Sequence, residues 1–182
     1  MNESVSPVTG SGQRYFGKYR GVVVNNIDLL GEGRVLVSVP DVTTVPTWAM
    51  PCVPVAGQQM GMLALPPPGA GVWVEFEHGD PTYPIWVGCW WGSAAEVPAM
   101  SRTVQPPTQG LVFQTLLQTA VLITDVPGVG ITLTTPSKAT VVISDTGIVI
   151  QNGKGASISM VGPKIDIIGA TVAINGTALV VT

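Results

Sequence analysis

The chain has 182 residues, a formal net charge of −3, only 10% charged residues and a mean hydropathy of +0.43. A membrane-spanning helix needs about 20 consecutive apolar residues, and no apolar run in the sequence reaches that length. The 46% hydrophobic content excludes disorder along the whole chain. Eight Lys and Arg against eleven Asp and Glu disfavour binding to nucleic acid. We therefore ask where a chain with so little charge buries its apolar surface.

The first part of the sequence predicts a small β-barrel. Residues 1–14 are polar and are interpreted as a flexible arm. Residues 15–92 show no helical period but contain short runs of β-branched and aromatic residues separated by Gly and Pro. Several short strands in such a stretch are typical of a small β-barrel. The predicted strands are 18–27, 33–39, 49–56, 60–65, 71–77 and 84–91.

The two cysteines and the single histidine are not predicted to form a reactive site. Cys52 and Cys89 lie in apolar contexts and are interpreted as two reduced, buried thiols, with a bridge as the alternative. Whether the two thiols are close in space stays open. The triplet from His78 to Asp80 is interpreted as a turn, because no Ser or Cys nucleophile with a recognisable elbow accompanies it. The sequence therefore predicts no catalytic residue, no metal and no cofactor.

Aromatic and acidic side chains of the barrel allow two interpretations each. Trp73, Trp90 and Trp91 are assigned to the barrel core and to trimer packing, and the alternative is stacking on sugars or bases. Glu75 and Glu77 alternate on one strand face. We interpret them as a solvated face or as partners of Arg20 or Arg34, with a paired-carboxylate site as the alternative. The loop 152–155 resembles a phosphate loop only weakly, since no helix follows it, and is read as a corner.

The second part of the sequence is a repeat of short strands. Residues 93–110 are polar and Pro-containing, which is typical of a linker. Residues 111–182 contain no Trp, Tyr, Arg or Glu, and apolar residues recur in i, i+2 pairs, mostly with Gly or Asn between the pairs. The pairs are Ile131/Leu133, Val141/Ile143, Ile148/Ile150, Ile158/Met160, Ile165/Ile167, Val172/Ile174 and Leu179/Val181.

This repeat is too thin to enclose its own apolar side chains. We predict that three chains wind together into a triangular prism, an intertwined triple-stranded β-helix. Successive strands form the sides of the prism, and each strand is expected to hydrogen-bond to neighbouring chains. Eight or nine strands at about 4.8 Å each would give a rod of roughly 40 Å. The charged residues would point outward or lie at corners (Asp125, Lys138, Asp145, Lys154, Lys164 and Asp166). The predicted trimer core consists of Ile131, Leu133, Val141, Ile143, Ile148, Ile150, Ile158, Met160, Ile165, Ile167, Val172 and Ile174.

The residues resemble the central spike protein of contractile phage tails, the baseplate assembly protein V family. The same modules occur in the spike part of type VI secretion VgrG proteins and of extracellular contractile injection systems. The match to the OB-fold domain of this family is carried by residues 19–24 with 31–37, by 48–57, and by 67–77 with 79–92. The repeat in 111–182 is similar to the trimeric β-helix of the family, so nearly the whole chain takes part in the resemblance.

The resemblance implies a structural protein and not an enzyme. It would be a homotrimeric, membrane-piercing needle that joins a hub to a tip protein and is driven through the target envelope when a sheath contracts. Its expected location is a virion tail baseplate or a contractile injection particle, assembled in the bacterial cytoplasm. The alternative function is a glycan- or nucleic-acid-binding OB protein with a β-solenoid extension.

Comparison with the family also gives expectations about partners. The chain is too short to include the hub, so the hub is expected to be a separate baseplate protein at the barrel end. The linker 93–110 is too short for the muramidase domain that some spikes carry. His78 is the only histidine, so the iron-binding His-x-His tip of some spikes cannot form. A separate PAAR-like protein is expected to cap the end of the repeat at Ala178, Leu179, Val180, Val181 and Thr182.

Overall fold

The computed structural model describes residues 12–174 and 179–181, which form two compact units that divide between Glu96 and Val97. The predicted all-β class is confirmed, because the described residues form strands and two short 3₁₀ turns. No helix in these residues has the length and apolar character needed to cross a membrane.

The first unit contains a closed five-stranded barrel, as an OB fold requires. Its strand order is β1–β2–β3–β7–β6, and all neighbours are antiparallel except the parallel pair β3 and β7. A two-stranded hairpin of β4 and β5 lies outside this barrel sheet. The strands are β1 (Tyr19–Asn25), β2 (Val35–Ser38), β3 (Thr47–Pro51), β4 (Ala56–Gly57), β5 (Met60–Gly61), β6 (Gly71–Phe76) and β7 (Pro84–Trp90).

Alternation along the strands builds the barrel core. Val35 and Val37 of β2 and Val72 and Val74 of β6 point inward and are at most 1% exposed. Trp86 of β7 closes the core, and its indole N–H donates to the carbonyl oxygen of Gly33 at 3.3 Å. Fully burying a valine contributes about 1.5–3 kcal/mol, so this set of small β-branched residues provides the main stabilisation of the barrel.

Two predicted strands of the barrel are shorter in the structure. The strand expected over 49–56 ends at Pro51, and the strand expected over 60–65 reduces to the two residues of β5. Pro51 and Pro54 lack the N–H that a sheet ladder needs. The chain between them therefore leaves the barrel and forms the outer hairpin.

The second unit is a meander. A single sheet has the order β14-β13-β12-β11-β10-β9-β8, and each strand is antiparallel to the next. A separate two-stranded sheet pairs β15 with β16. The strands are β8 (Gly110–Gln114), β9 (Ala120–Thr124), β10 (Ile131–Thr134), β11 (Thr140–Ser144), β12 (Gly147–Gln151), β13 (Ser157–Val161), β14 (Lys164–Ile168), β15 (Val172–Ile174) and β16 (Leu179–Val181).

Strand pairing within this sheet differs from the pairing that the sequence predicted. Successive strands were expected to hydrogen-bond to neighbouring chains, but here each of them pairs with its neighbours in the same chain. The reason is the length of the connections: loops as short as 145–146 and 162–163 bring successive strands side by side as hairpins. One chain therefore supplies a complete sheet.

The segment predicted as a linker is ordered where it precedes β8. A 3₁₀ turn covers Ala99–Thr103, and the N–H of Met100 donates to Oε1 of Gln114 at 3.1 Å. The Thr124 hydroxyl donates to the carbonyl oxygen of Gln109 at 2.9 Å. These bonds tie the segment to the first two strands of the sheet.

An apolar sheet face as the candidate functional site

The register of the seven-stranded sheet gathers the predicted core residues on one face. Residues directly opposite each other in antiparallel strands lie on the same face. Leu133 stands opposite Val141, which stands opposite Ile150, and Ile150 stands opposite Ile158. The ten predicted residues from Ile131 to Ile167 form such directly opposed rows: Ile131, Leu133, Val141, Ile143, Ile148, Ile150, Ile158, Met160, Ile165 and Ile167.

Four further residues continue this apolar face and were missed from the sequence. Leu111 and Phe113 of β8 stand opposite Ile123 and Val121 of β9. Ile123 and Val121 in turn stand opposite the first predicted pair on β10. Both strands show the same i, i+2 apolar spacing as the other pairs, so the signal was present in the sequence. The face extends over all seven strands.

The apolar face is substantially exposed in the single chain. Ile158 is 42% exposed, Ile131 is also 42% exposed, and Ile165 reaches 67%. A groove of about 740 Å³ runs along this face and is lined mainly by Val, Leu, Ile, Ala and Thr side chains. Removing apolar surface from water stabilises a protein by about 25 cal/mol for each Å². A covering surface would therefore stabilise the sheet.

The opposite face of the sheet is more polar. Thr132, Ser157 and Ser159 lie on it, together with Asp166, which stands opposite Ser159. Near the start of the sheet this face carries buried residues, of which Leu122 is 2% exposed. The 3₁₀ turn that precedes β8 binds Gln114 on this same face. The polar face is therefore partly covered by residues of its own chain, whereas the apolar face is not.

The last predicted core pair lies in a different sheet. Val172 and Ile174 belong to β15 and stand opposite Val181 and Leu179 of β16. The side chain of Ile174 lies outside the described residues. Of the segment assigned to a tip partner, the structure describes the backbone of Leu179–Val181, whereas Ala178 and Thr182 lie outside the described residues.

Four of the charged residues of the repeat lie at corners, as expected. Asp125, Lys138, Asp145 and Lys154 are exposed residues in the loops between strands. The loop 152–156 is a corner, because Oδ1 of Asn152 accepts the N–H groups of Lys154 and Ala156 at 2.7 and 3.1 Å. Such a side-chain cap closes a turn within the loop.

On the barrel surface, an arginine covers two tryptophans. The Arg20 guanidinium lies 5.5 Å from the ring centre of Trp73 and 4.8 Å from that of Trp90. The indole N–H of Trp90 donates to the carbonyl oxygen of Val72 at 3.3 Å. These two rings are half-buried outside the core, and Trp91 is 62% exposed. The assignment of the three tryptophans to the barrel core is therefore wrong, since the inward position on β7 belongs to Trp86.

The acidic residues of β6 have a different partner from the one expected. Glu75 pairs with Lys18 at 2.5 Å, and not with Arg20 or Arg34. The reason is that β1 runs antiparallel to β6 and Arg20 stands opposite Trp73, so the arginine stacks on the aromatic ring. Glu77 is exposed at the start of the 3₁₀ turn Glu77–Gly79.

A carboxylate network holds the loop between β1 and β2. Asp28 accepts the backbone N–H groups of Leu30, Glu32 and Arg34, and it binds the Arg34 guanidinium at 2.6 Å. The Asp28 side chain is only 3% exposed. The Arg34 hydrogen bond, with the backbone N–H groups, holds the pKa of Asp28 well below its usual range. The Arg34 guanidinium also lies 5.6 Å from the ring centre of Trp48.

The triplet at His78 is a turn, as predicted. His78 has a φ of 50° inside the 3₁₀ turn, and Oδ1 of Asp80 accepts the N–H of Thr82 at 3.0 Å and its hydroxyl at 2.8 Å. These hydrogen bonds lower the pKa of Asp80. Among the residues that the structure describes, no group of three or more His, Cys, Asp or Glu side chains could hold a metal ion.

Both cysteines are free thiols, but the prediction that they are buried is wrong. Cys52 and Cys89 are exposed. Cys52 directly follows the end of β3, and Cys89 is the second-last residue of β7, so both thiols lie at strand ends where the barrel covers them less. Partial desolvation raises the pKa of the Cys89 thiol.

The fold and the apolar face define a two-part β-protein, an OB barrel followed by a sheet that needs partners. Residues 19–91 match the type VI secretion system/phage-baseplate injector OB domain. Residues 110–180 match the phage baseplate V C-terminal trimerisation domain. The chain belongs to the phage baseplate V family of central spike proteins. No match was found among curated proteins.

Membership of this family gives the coarse function. The chain is a spike protein of a phage baseplate or type VI secretion type, and the family is a structural one. The trimerisation domain supports a homotrimer. The family relationship points to a virion tail or baseplate as the location of the protein.

Proposed function

We propose that the chain is the membrane-piercing needle of a contractile tail or injection particle. In this proposal three copies turn the apolar faces of their seven-stranded sheets toward a common axis. The observation that supports it most directly is the continuous apolar face, which runs across seven strands and is uncovered in the single chain. A trimer that buries three such faces would account for the low charge and high hydropathy of the sequence.

A meander in each copy suits an axial load. The strands would run across the needle, and their hydrogen-bonded ladder would follow its axis. Seven strands at about 4.8 Å each give a length of about 30 Å. The packed axis would resist bending because close-packed interiors deform little. Sheath contraction, and not chemistry at this protein, would supply the work of crossing the envelope.

Partners at both ends complete the proposal. A separate hub protein would bind at the barrel end, where the outer hairpin exposes Met60, Met62 and Leu63 at 62%, 47% and 70%. A PAAR-like tip protein would bind the region of 178–182 by adding strands to β16. The barrel trimer would form the base of the needle, assembly would take place in the bacterial cytoplasm, and contact with the target envelope would be transient.

The orientation of the sheet can be tested with two neighbouring residues on β13. Ile158→Asp places a charge on the apolar face, and three copies would bring three charges onto a dry axis, where unpaired charge is very costly. We expect this variant to be monomeric. Ser157→Asp is the matched control, because Ser157 lies on the opposite face of the same strand, and it should remain trimeric. Light scattering coupled to size-exclusion chromatography measures both states.

Particles carrying these variants test the needle role. Spike-deleted particles complemented with the Ser157→Asp chain should infect or kill, and those with the Ile158→Asp chain should not. A trimeric Ile158→Asp variant would show that the apolar face does not line the axis. Full activity of particles without any spike would contradict the needle role itself.

The alternative of a glycan- or nucleic-acid-binding OB protein gains no support from the barrel surface. Arg20 already lies over the rings of Trp73 and Trp90, and the chain carries a net charge of −3. Salt-sensitive binding of single-stranded DNA, lost on Trp90→Ala, would favour that alternative.

A further inference from the structure

The loops at the two ends of the strands in the seven-stranded sheet carry opposite charges. Each row of loops is called an edge of the sheet. Because the strands alternate in direction, every second loop lies at the same edge. The lysine edge consists of loops 115–119, 135–139 and 152–156, which contain Lys138 and Lys154 and no acidic residue. The aspartate edge consists of loops 125–130, 145–146 and 162–163, which contain Asp125 and Asp145 and no basic residue.

These four charged side chains have no ion-pair partner among the described residues of their own chain. All four are exposed. Asp145 is nevertheless held in place, because its Oδ1 accepts the N–H of Gly128 at 2.7 Å across two loops of the aspartate edge. The remaining charges of the sheet, Lys164 and Asp166, pair with each other at 2.9 Å.

Pairing between the edges requires a second copy of the chain. A five-residue strand separates the edges by about 16 Å, which is too far for Lys154 to reach Asp145 of its own chain. A closed ring of three identical sheets brings one edge of each copy against the other edge of the next copy. Such a ring therefore joins a lysine edge to an aspartate edge at each of its corners.

The positions of the charges along the sheet also match. The loop that contains Asp145 follows β11, and the loops that contain Lys138 and Lys154 precede β11 and follow β12. With the copies at equal height, Asp145 of one copy would lie about one strand spacing, 4.8 Å, from both lysine loops of the next copy. Asp125 would lie at the same distance from the loop of Lys138.

We propose that the corners of the trimer are charge-matched joints between copies of this chain. Lys138 and Lys154 of one copy pair with Asp125 and Asp145 of the next copy. This inference rests on the proposed function, since it assumes that the apolar faces turn toward the axis. The partner is a second copy and no other molecule.

The joint would determine which edge of one copy meets which edge of the next. The apolar rows repeat from strand to strand, so apolar contact alone does not distinguish the two edges. Opposite charges favour a lysine edge against an aspartate edge, and like charges disfavour two identical edges. Electrostatic complementarity is well suited to this purpose, because it selects register and partner more than it adds affinity.

The apolar groove supports the same neighbour. It runs along the part of the apolar face next to the lysine edge, where Val121, Leu133 and Ile150 line it. The aspartate edge of the next copy carries Val126 and Pro127 beside Asp125. These apolar side chains would approach the groove of about 740 Å³ when the charges meet.

Charge reversal of the edges tests the joint. D125K/D145K makes both edges positive, and K138D/K154D makes both edges negative. A single exposed ion pair contributes little, but the three corners act together, so we expect each double variant to raise the trimer dissociation midpoint about tenfold or more at low salt. The quadruple variant restores complementarity and should return to within about threefold of the wild type. The control K164D/D166K reverses a pair that lies within one chain and should have no effect.

Dilution series followed by analytical ultracentrifugation provide the measurement. At about 1 M salt, where the screening length falls to about 3 Å, the double variants should approach the wild type. Double variants that match the wild type at low salt, or a quadruple variant no better than the doubles, would overturn the joint. A trimeric wild type whose dissociation midpoint is unchanged by the charge reversals would refute only the joint. A monomeric wild type would refute the proposed function.

Zero-length cross-linking of the wild-type protein gives an independent check. A carbodiimide couples a lysine amine to a carboxylate in direct contact and forms an amide. We expect Lys154–Asp145 or Lys138–Asp145 linkages in covalent dimers and trimers, identified by mass spectrometry. Lys164–Asp166 is the intrachain positive control, because these side chains are already paired. Intact trimers that yield the control linkage and neither edge linkage would contradict the joint.

Discussion

Single residues in the barrel are fixed by local hydrogen bonds that a sequence pattern does not reveal. Asp28 is the clearest example, since it satisfies three backbone N–H groups and one guanidinium within the seven residues from Asp28 to Arg34. The loop between β1 and β2 has positive φ values at Gly31 and Gly33. The carboxylate that organises this loop was not foreseen.

The lowered pKa of Asp28 predicts how the barrel responds to acid. A carboxyl group whose pKa is lower in the folded state stabilises the protein above the unfolded pKa of about 3.9, and this contribution decreases as the pH falls toward the folded value. Asp28→Asn should therefore lower the melting temperature at pH 7, and the difference from the wild type should shrink at about pH 3.

Thermal unfolding followed by circular dichroism at both pH values measures this effect. Asp41→Asn is the control, because Asp41 is an exposed residue in the loop after β2. A constant difference between the wild type and Asp28→Asn at both pH values would show that ionisation of Asp28 does not stabilise the loop.

At the scale of elements, hairpin turns determine how the sheet is built. The loop 125–130 joins β9 to β10, and its last residue, Gly130, has a φ of 53°. A Cβ atom at Gly130 would overlap with the carbonyl oxygen of Ile143 on β11. Gly130 is therefore required both for its backbone conformation and for the close approach of the neighbouring strand.

Gly130→Ala should destabilise the sheet more than Gly128→Ala. Gly128 lies in the same turn with a φ of 78°, but a Cβ atom there would meet nothing within 4 Å. A left-handed alanine costs about 1–2 kcal/mol, which is the expected cost at Gly128. At Gly130 the steric overlap adds to this cost, so the loss should exceed about 2 kcal/mol. Denaturant unfolding at fixed protein concentration compares the two, and equal losses would show that β11 moves away without cost.

At the scale of the whole molecule, the uncovered apolar face couples stability to concentration. If three copies bury this face together, unfolding of the second unit is also dissociation, and mass action makes its midpoint depend on protein concentration. The wild-type melting temperature should therefore rise by several degrees over a hundredfold increase in concentration. Differential scanning calorimetry measures this shift.

The matched control for this prediction is Ile158→Asp. This variant should melt at a lower temperature that does not change with concentration, since no trimer forms. The contrary result would be a wild-type melting temperature that is independent of concentration in a sample shown to be trimeric before heating. It would indicate that the second unit unfolds after dissociation and gains little stability from the other two copies.

The sequence by itself determined the fold class, the barrel, and the period-two pattern of the second unit. Alternation of apolar residues is enough for this, because it decides which side chains share a face of a strand. It also predicted that the charged residues of the repeat point outward or lie at corners, as Asp125, Lys138, Asp145 and Lys154 do. The sequence did not decide which strands pair, and it led to the expectation of pairing between chains.

Only the tertiary structure decided the pairing of the strands as a meander and the division of the corner charges between two edges. Pairing depends on loop geometry and register, which join residues that are distant in sequence. The same reason explains the partner of Glu75 and the position of Arg20, since β1 and β6 meet only when the barrel closes. The local sequence pattern thus specifies which side chains share a face of a strand. The tertiary fold specifies which strands lie next to each other.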